Sequence, residues 1–151
     1  MSTKLFNALI FGSIFILLLD FLLFVGLKIN YFDFYGIDEY FNVIFVDNQP
    51  YILLFILSIA FGYSMLYLRG SKIFDRIYII LILLFATTFY QPVAMRVGNF
   101  LFAKKNQNLQ VLDTNVTMDI LYKGRQSIYL KKPNLSRAVK YRYSEIKLLK
   151  I

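Results

Sequence analysis

Three long apolar stretches constrain this chain more than any other feature. Leu5 to Leu27 carries one charged residue, Asp20, and Tyr51 to Leu68 carries none. Lys4 and Lys28 bracket the first stretch. At ~1.5 Å per residue the separation is about 36 Å, enough for a helix to cross a bilayer with some tilt. The second stretch runs from about Pro50 to Leu68 and is closed by Arg69. Arg76 and Arg96 bracket the third. Their separation corresponds to ~30 Å, the thickness of a hydrocarbon core, and both guanidinium groups can snorkel to opposite interfaces. Pro92 is expected to kink or loosen the last turns of that helix. Val93 to Ala103 is too short for a fourth span and contains Arg96.

The expected class is therefore an integral membrane protein, mainly α. Residues 1–103 form three transmembrane helices, at about 5–27, 50–68 and 76–96. Residues 104–151 form a small, basic, β-rich tail outside the membrane. Composition agrees: of 151 residues, 58% are hydrophobic and 19% aromatic, more than a soluble domain of this size can hide. Lys4 ahead of an apolar run resembles a signal peptide. The run is too long, however, and no small-x-small site followed by polar sequence ends it, so it reads as a retained span. The abundance of Ile, Phe, Leu, Lys, Asn and Tyr points to an AT-rich, bacterial genome.

Between the first two spans, Ile29 to Gln49 is acidic and aromatic. Asp33, Asp38, Glu39 and Asp47 stand among Tyr31, Phe32, Phe34, Tyr35, Tyr40, Phe41 and Phe45. Such a loop reads as an interfacial aromatic belt, with Asp38 to Val46 as a short surface helix. Its sharper reading is a docking surface for a partner. The next loop, Arg69 to Arg76, is short and basic. The positive-inside rule then places it and the amino terminus in the cytoplasm and the tail in the periplasm, although Lys104 and Lys105 pull the other way. The expected location is the bacterial inner membrane.

In the tail, alternation replaces long apolar runs. Val116, Met118, Ile120 and Tyr122 read as one face of a strand, and Ile128 and Leu130 mark its partner. A three-residue loop pairs Tyr122 with Gln126, Ile120 with Ile128, and Met118 with Leu130. Val139, Tyr141 and Tyr143 alternate with Lys140 and Arg142 as a third strand, after a turn at Lys131-Lys132-Pro133-Asn134. So small a sheet has little core of its own, and is expected to lean on the membrane surface or on another protein.

The sequence has no Cys and no His, which excludes disulfides, thiol nucleophiles, imidazole bases and nearly all zinc sites. It has no phosphate-binding glycine loop, and intramembrane aspartyl chemistry needs two aspartates where the spans hold only Asp20. No catalytic residue, cofactor or metal ligand is expected. Three features remain. Asp20 lies about 12 Å below the Lys28 interface and needs a partner, a proton or a polar cavity. Ser58, Thr87, Thr88, Gln91 and Arg96 fall at similar depth, which suggests an intramembrane polar cluster that holds the helices together, handles a proton or ion, or meets a partner's span. Small residues at four-residue spacing, Ala8 and Gly12, Ser58 and Gly62, Ala60 and Ser64, and Ala94 and Gly98, suit close helix packing. The basic tail, with Lys123, Arg125, Lys131, Lys132, Arg137, Lys140 and Arg142 among tyrosines, suits anionic headgroups or an acidic protein before nucleic acid.

The expected function is a non-enzymatic accessory or assembly subunit that stabilises or scaffolds a larger inner-membrane complex. Its expected partners are membrane lipids and another integral membrane protein. Two alternatives are a small homo-oligomeric transporter or channel using Asp20, and a membrane-anchored module that binds anionic lipid or polymer.

Overall fold

The computed structural model describes residues 3–68, 71–111, 114–132 and 135–148. Arg69, expected to close the second span, and Pro133 and Asn134 of the expected turn lie outside them. The helices are α1 (Thr3–Leu27), continued by a π-helical turn (Lys28–Phe32) into α2 (Asp33–Tyr35), then α3 (Phe41–Asp47), α4 (Tyr51–Tyr67), α5 (Ser71–Ala86) and α6 (Gln91–Phe102). The strands are β1 (Lys104–Val111), β2 (Thr114–Lys123), β3 (Ser127–Lys131), β4 (Val139–Arg142) and β5 (Ile146–Leu148). The chain is mostly helical, with an antiparallel sheet on its carboxyl-terminal side.

Among the described residues one helix, Thr3–Tyr35, is long and apolar enough to cross a membrane, and the number rises to three if each of two bent pairs is one span. The first expected span falls on this helix, which continues beyond Leu27. The third is not one straight span over 76–96. The chain bends by 96° between Lys72–Phe89 and Gln91–Phe102. Pro92 explains the break: it lacks an N–H and restricts the residue before it, so it opens α6 instead of loosening the end of α5. Ala94, Arg96 and Gly98 therefore belong to α6, a separate helix.

The chain divides into two compact units that do not follow the 103/104 composition boundary. One unit comprises Met1–Gly26 and Asn42–Thr88; the other comprises Leu27–Phe41 and Phe89–Ile151.

In the first unit, backbones meet where side chains are smallest. A Cβ on Gly12 would overlap the Ser58 carbonyl, and one on Gly62 would overlap the Ala8 carbonyl. Two helices cross there at backbone contact. Phe15, Phe61 and Tyr78, one each from α1, α4 and α5, bring their rings together at 5.0 Å (Phe15–Tyr78) and 5.4 Å (Phe61–Tyr78). The Tyr78 hydroxyl donates to the Phe15 carbonyl at 3.1 Å.

In the second unit, the strands run in the order β4-β3-β2-β1-β5. A 3-10 turn at Tyr143–Glu145 returns the chain from β4 to β5, beside β1. One face carries Leu109, Val111, Ile120, Ile128, Leu130 and Ile146, all buried together. Each such side chain contributes about 1.5–3 kcal/mol.

The observed register corrects the expected one. Ile120 pairs with Leu130, Tyr122 with Tyr129 and Lys123 with Ile128, with a bulge between Ile120 and Tyr122. The extra residue turns Tyr122 to the face opposite Ile120, so these two do not share a face as alternation implied. Tyr143 leaves the third expected strand for the 3-10 turn, and β1 and β5 were not anticipated.

The second face of the sheet packs, through Tyr122, on the chain's own acidic, aromatic loop and on α6. Tyr122 meets Phe32 at 5.1 Å and Phe102 at 5.7 Å. The π turn makes this possible. It widens the buried arc of the helix, so that consecutive Tyr31 and Phe32 are both fully buried. Gly36, at φ +70°, then ends the helix. Its N–H reaches the Asp33 carbonyl and the Ile37 N–H reaches the Phe32 carbonyl, at 3.1 and 2.8 Å.

Candidate functional site

The polar residues expected to cluster in the spans are not gathered into one site. Asp20 on α1 accepts a hydrogen bond from Nε2 of Gln49, which precedes α4. Ser58 is buried at the crossing with Gly12. Thr87 and Thr88 donate back to the carbonyls of Leu84 and Phe85 within their own helix. Thr88 also sits against Gly26, where a Cβ would overlap its hydroxyl. Gln91 and Arg96 are exposed on α6. Ser13 and Ser64 likewise bond to carbonyls one turn earlier, the usual way a hydroxyl is satisfied inside a helix.

The small-residue positions divide differently. Ala8, Gly12, Ser58 and Gly62 come together at one helix crossing. Ser64 lines the apolar groove of that unit, as does Ala60. Ala94 and Gly98 serve the second unit, where Gly98 lies against the Tyr31 ring so closely that a Cβ would overlap it. The Tyr31 hydroxyl continues past α6 to the Leu121 carbonyl at 3.0 Å. Asn30 Nδ2 holds the Phe89 carbonyl at 2.9 Å, a carbonyl freed by the helix break before Pro92.

The clearest polar constellation joins the acidic loop to the basic tail. The Tyr129 hydroxyl on β3 donates to the Asp38 carbonyl at 3.1 Å and lies 3.5 Å from the Glu39 carboxylate. Glu39 fills the space beside Gly124, where a Cβ would collide with it. Tyr143 closes the other side, donating to the Gly124 carbonyl at 2.7 Å. Burial, and then the charges of Glu39 and Asp38, push the Tyr129 phenol well above its usual value. Burial and Glu39 do the same to Tyr143. A backbone bond fixes the edge of the loop, from the Ala138 N–H to the Tyr35 carbonyl at 2.8 Å.

Three of the tail's lysines lie on tyrosine faces. Lys131 stands 5.6 Å from the Tyr35 ring, Lys140 5.7 Å from Tyr129 and Lys132 6.0 Å from Tyr141. Lys140 also lies 3.9 Å from Asp38. Arg137 places its side chain near Gly36, while Lys123, Arg125 and Arg142 are exposed. Burial and neighbouring Lys104 hold the Lys123 ammonium below its usual value. No group of three or more acidic side chains that could hold a metal occurs among the described residues.

Sequence reasoning missed three of the residues that organise these sites. Gln49 reads only as a loop end and Tyr31 as part of an interfacial belt, and nothing in the sequence singles out Tyr78. Each carries one hydrogen bond to a position far along the chain, for which local pattern holds no signal. Compared with known proteins, the chain matches no family model, no curated protein and no solved structure.

Proposed function

We infer that the chain is a multi-pass protein of the bacterial inner membrane that acts as a non-enzymatic accessory or assembly subunit of a larger membrane complex. Its amino terminus faces the cytoplasm and its tail the periplasm. One observation carries this reading: the loop acids and the tail tyrosines and lysines engage each other, while the free surface of the helical unit is apolar. Ile14, Ile52 and Leu83, one each from α1, α4 and α5, are 62%, 81% and 64% exposed. Large apolar faces of this kind suit lipid and the spans of a partner. Three crossings put loop and tail on the same side of the membrane, and their place in one compact unit supports this reading.

The test is extraction from native membranes in mild detergent, with mass determination of what copurifies, and measurement of complex levels in cells lacking the chain. A hetero-complex that falls in abundance without the chain is the expected result. The alternative is a homo-oligomeric transporter, favoured by Asp20 lining an apolar groove. A homo-oligomer, with unchanged complexes and one lost solute flux, establishes that alternative instead.

A further inference from the structure

The helical unit contains a groove of about 570 Å³ whose wall follows α4 from Pro50 to Ser64. That length of helix is about 21 Å at ~1.5 Å per residue. Leu54, Leu57, Phe61, Phe74 and Leu81 supply much of an apolar wall, and Asp20 is its one charged residue. Asp20 stands at the end marked by Pro50, where the chain enters α4. The opposite end, at Ser64, lies in the last turn of α4.

A carboxylate in such a wall is costly unless a countercharge, donors or a proton meet it. Gln49 supplies one donor. No Lys or Arg of the described residues pairs with Asp20. Beside it, Oε1 of Gln49 is buried without a hydrogen-bond partner. One end of the groove therefore offers the negative charge of Asp20, met by a single amide donor and by no cation among the described residues.

We propose that the groove holds an acyl chain of an ethanolamine-headed phospholipid, with the ammonium on Asp20. An ammonium supplies both missing elements, positive charge and N–H donors. An anionic headgroup meets repulsion from Asp20. A choline headgroup has the charge but no N–H to donate. The proposal rests on the membrane placement given under the proposed function, and deepens it by naming a lipid the helical unit selects.

The test uses the full chain reconstituted in bilayers that contain equal amounts of ethanolamine, choline and glycerol phospholipids with identical acyl chains. Native mass spectrometry then reads which lipids the protein retains. The wild-type chain is expected to enrich the ethanolamine lipid over both others by roughly tenfold or more, the scale of one charge-assisted hydrogen bond. Asp20→Asn keeps the Gln49 contact and the groove, and is expected to retain lipid without headgroup preference. Leu57→Trp fills the groove and is expected to lower retention of all three.

Equal retention of ethanolamine and choline lipids by the wild type overturns the proposal without any variant. Persistence of the preference in Asp20→Asn overturns it too. Release of the chain from alkaline-washed membranes without detergent overturns the membrane placement itself. A chain that needs detergent yet shows no preference overturns the lipid inference alone.

Discussion

The two units solve the same problem, closing an interior, with opposite materials. In the helical unit the outside is as apolar as the inside, so hydrophobicity cannot mark the interior. Small residues mark it instead: Gly12 and Gly62 let backbones touch, and Gly26 admits Thr88. In the sheet unit the interior is marked by bulk. Tyr31, Phe32, Tyr122 and Tyr129 are nearly fully buried, and the hydroxyls of Tyr31 and Tyr129 reach backbone carbonyls about ninety residues away. The difference shows which substitutions each unit tolerates. Added volume is ruinous in the first, whereas lost volume or a lost hydroxyl is costly in the second.

The sharpest way to break this contrast is Gly62→Leu. Its Cβ alone has no room at the Ala8 carbonyl, so the crossing must separate. The expected loss exceeds the usual overpacking cost of ~1–3 kcal/mol, read as failure of the variant to accumulate in membranes. Normal accumulation and melting would show that backbone contact does not hold this unit. Gly98→Val applies the same insult to the second unit, against the Tyr31 ring. Here the clash is with a ring and not with backbone, so the expected cost is smaller, about 1–3 kcal/mol. Hydrogen exchange should quicken in β2 and β3 while α4 and α5 keep their protection.

Much of this contrast was legible in the sequence. The apolar stretches, Lys4 and the glycines at Gly12 and Gly62 are local signals, and α1, α4 and their crossing stand close to where those signals put them, whereas Arg76, expected to bracket a span, lies inside α5. The break before Pro92 was half-legible: a proline announces a disruption but does not say whether the helix bends or restarts. The strand register was not legible. A bulge at Leu121 changes the face of every later residue in β2, and alternation alone cannot reveal an inserted residue. The loop–tail constellation was read as two separate surfaces, one acidic and one basic. Only the fold shows that Asp38 and Glu39 meet Tyr129 and Lys140.

Two finer tests probe that constellation. Tyr129→Phe removes a hydroxyl held by the Asp38 carbonyl, at an expected cost of about 1 kcal/mol in the stability of the sheet unit. The pH dependence should change as well. The folded-state phenol of Tyr129 is raised above the unfolded value of about 10, so its contribution is complete below pH ~10 and declines as pH rises above that. Wild-type protein should therefore destabilise in this alkaline range more steeply than Tyr129→Phe. Parallel pH profiles would exclude a role for this phenol in the alkaline loss. The smallest effect belongs to Lys140→Ala. Its 3.9 Å pair with Asp38 is solvent-exposed, so the change in melting temperature should be barely measurable.

The central claim is that the acidic loop finds its partner in the chain's own tail. The chain has no cysteine, so a single engineered pair can report on it. Glu39→Cys combined with Gly124→Cys removes the carboxylate that fills the space beside Gly124 and puts two thiols in its place. Mild oxidation in native membranes should cross-link this pair rapidly within one chain, seen as a faster-migrating monomer that reverts on reduction. Slow or absent cross-linking, or cross-links only between chains, would contradict the claim and return the loop to the role of a docking surface for another protein.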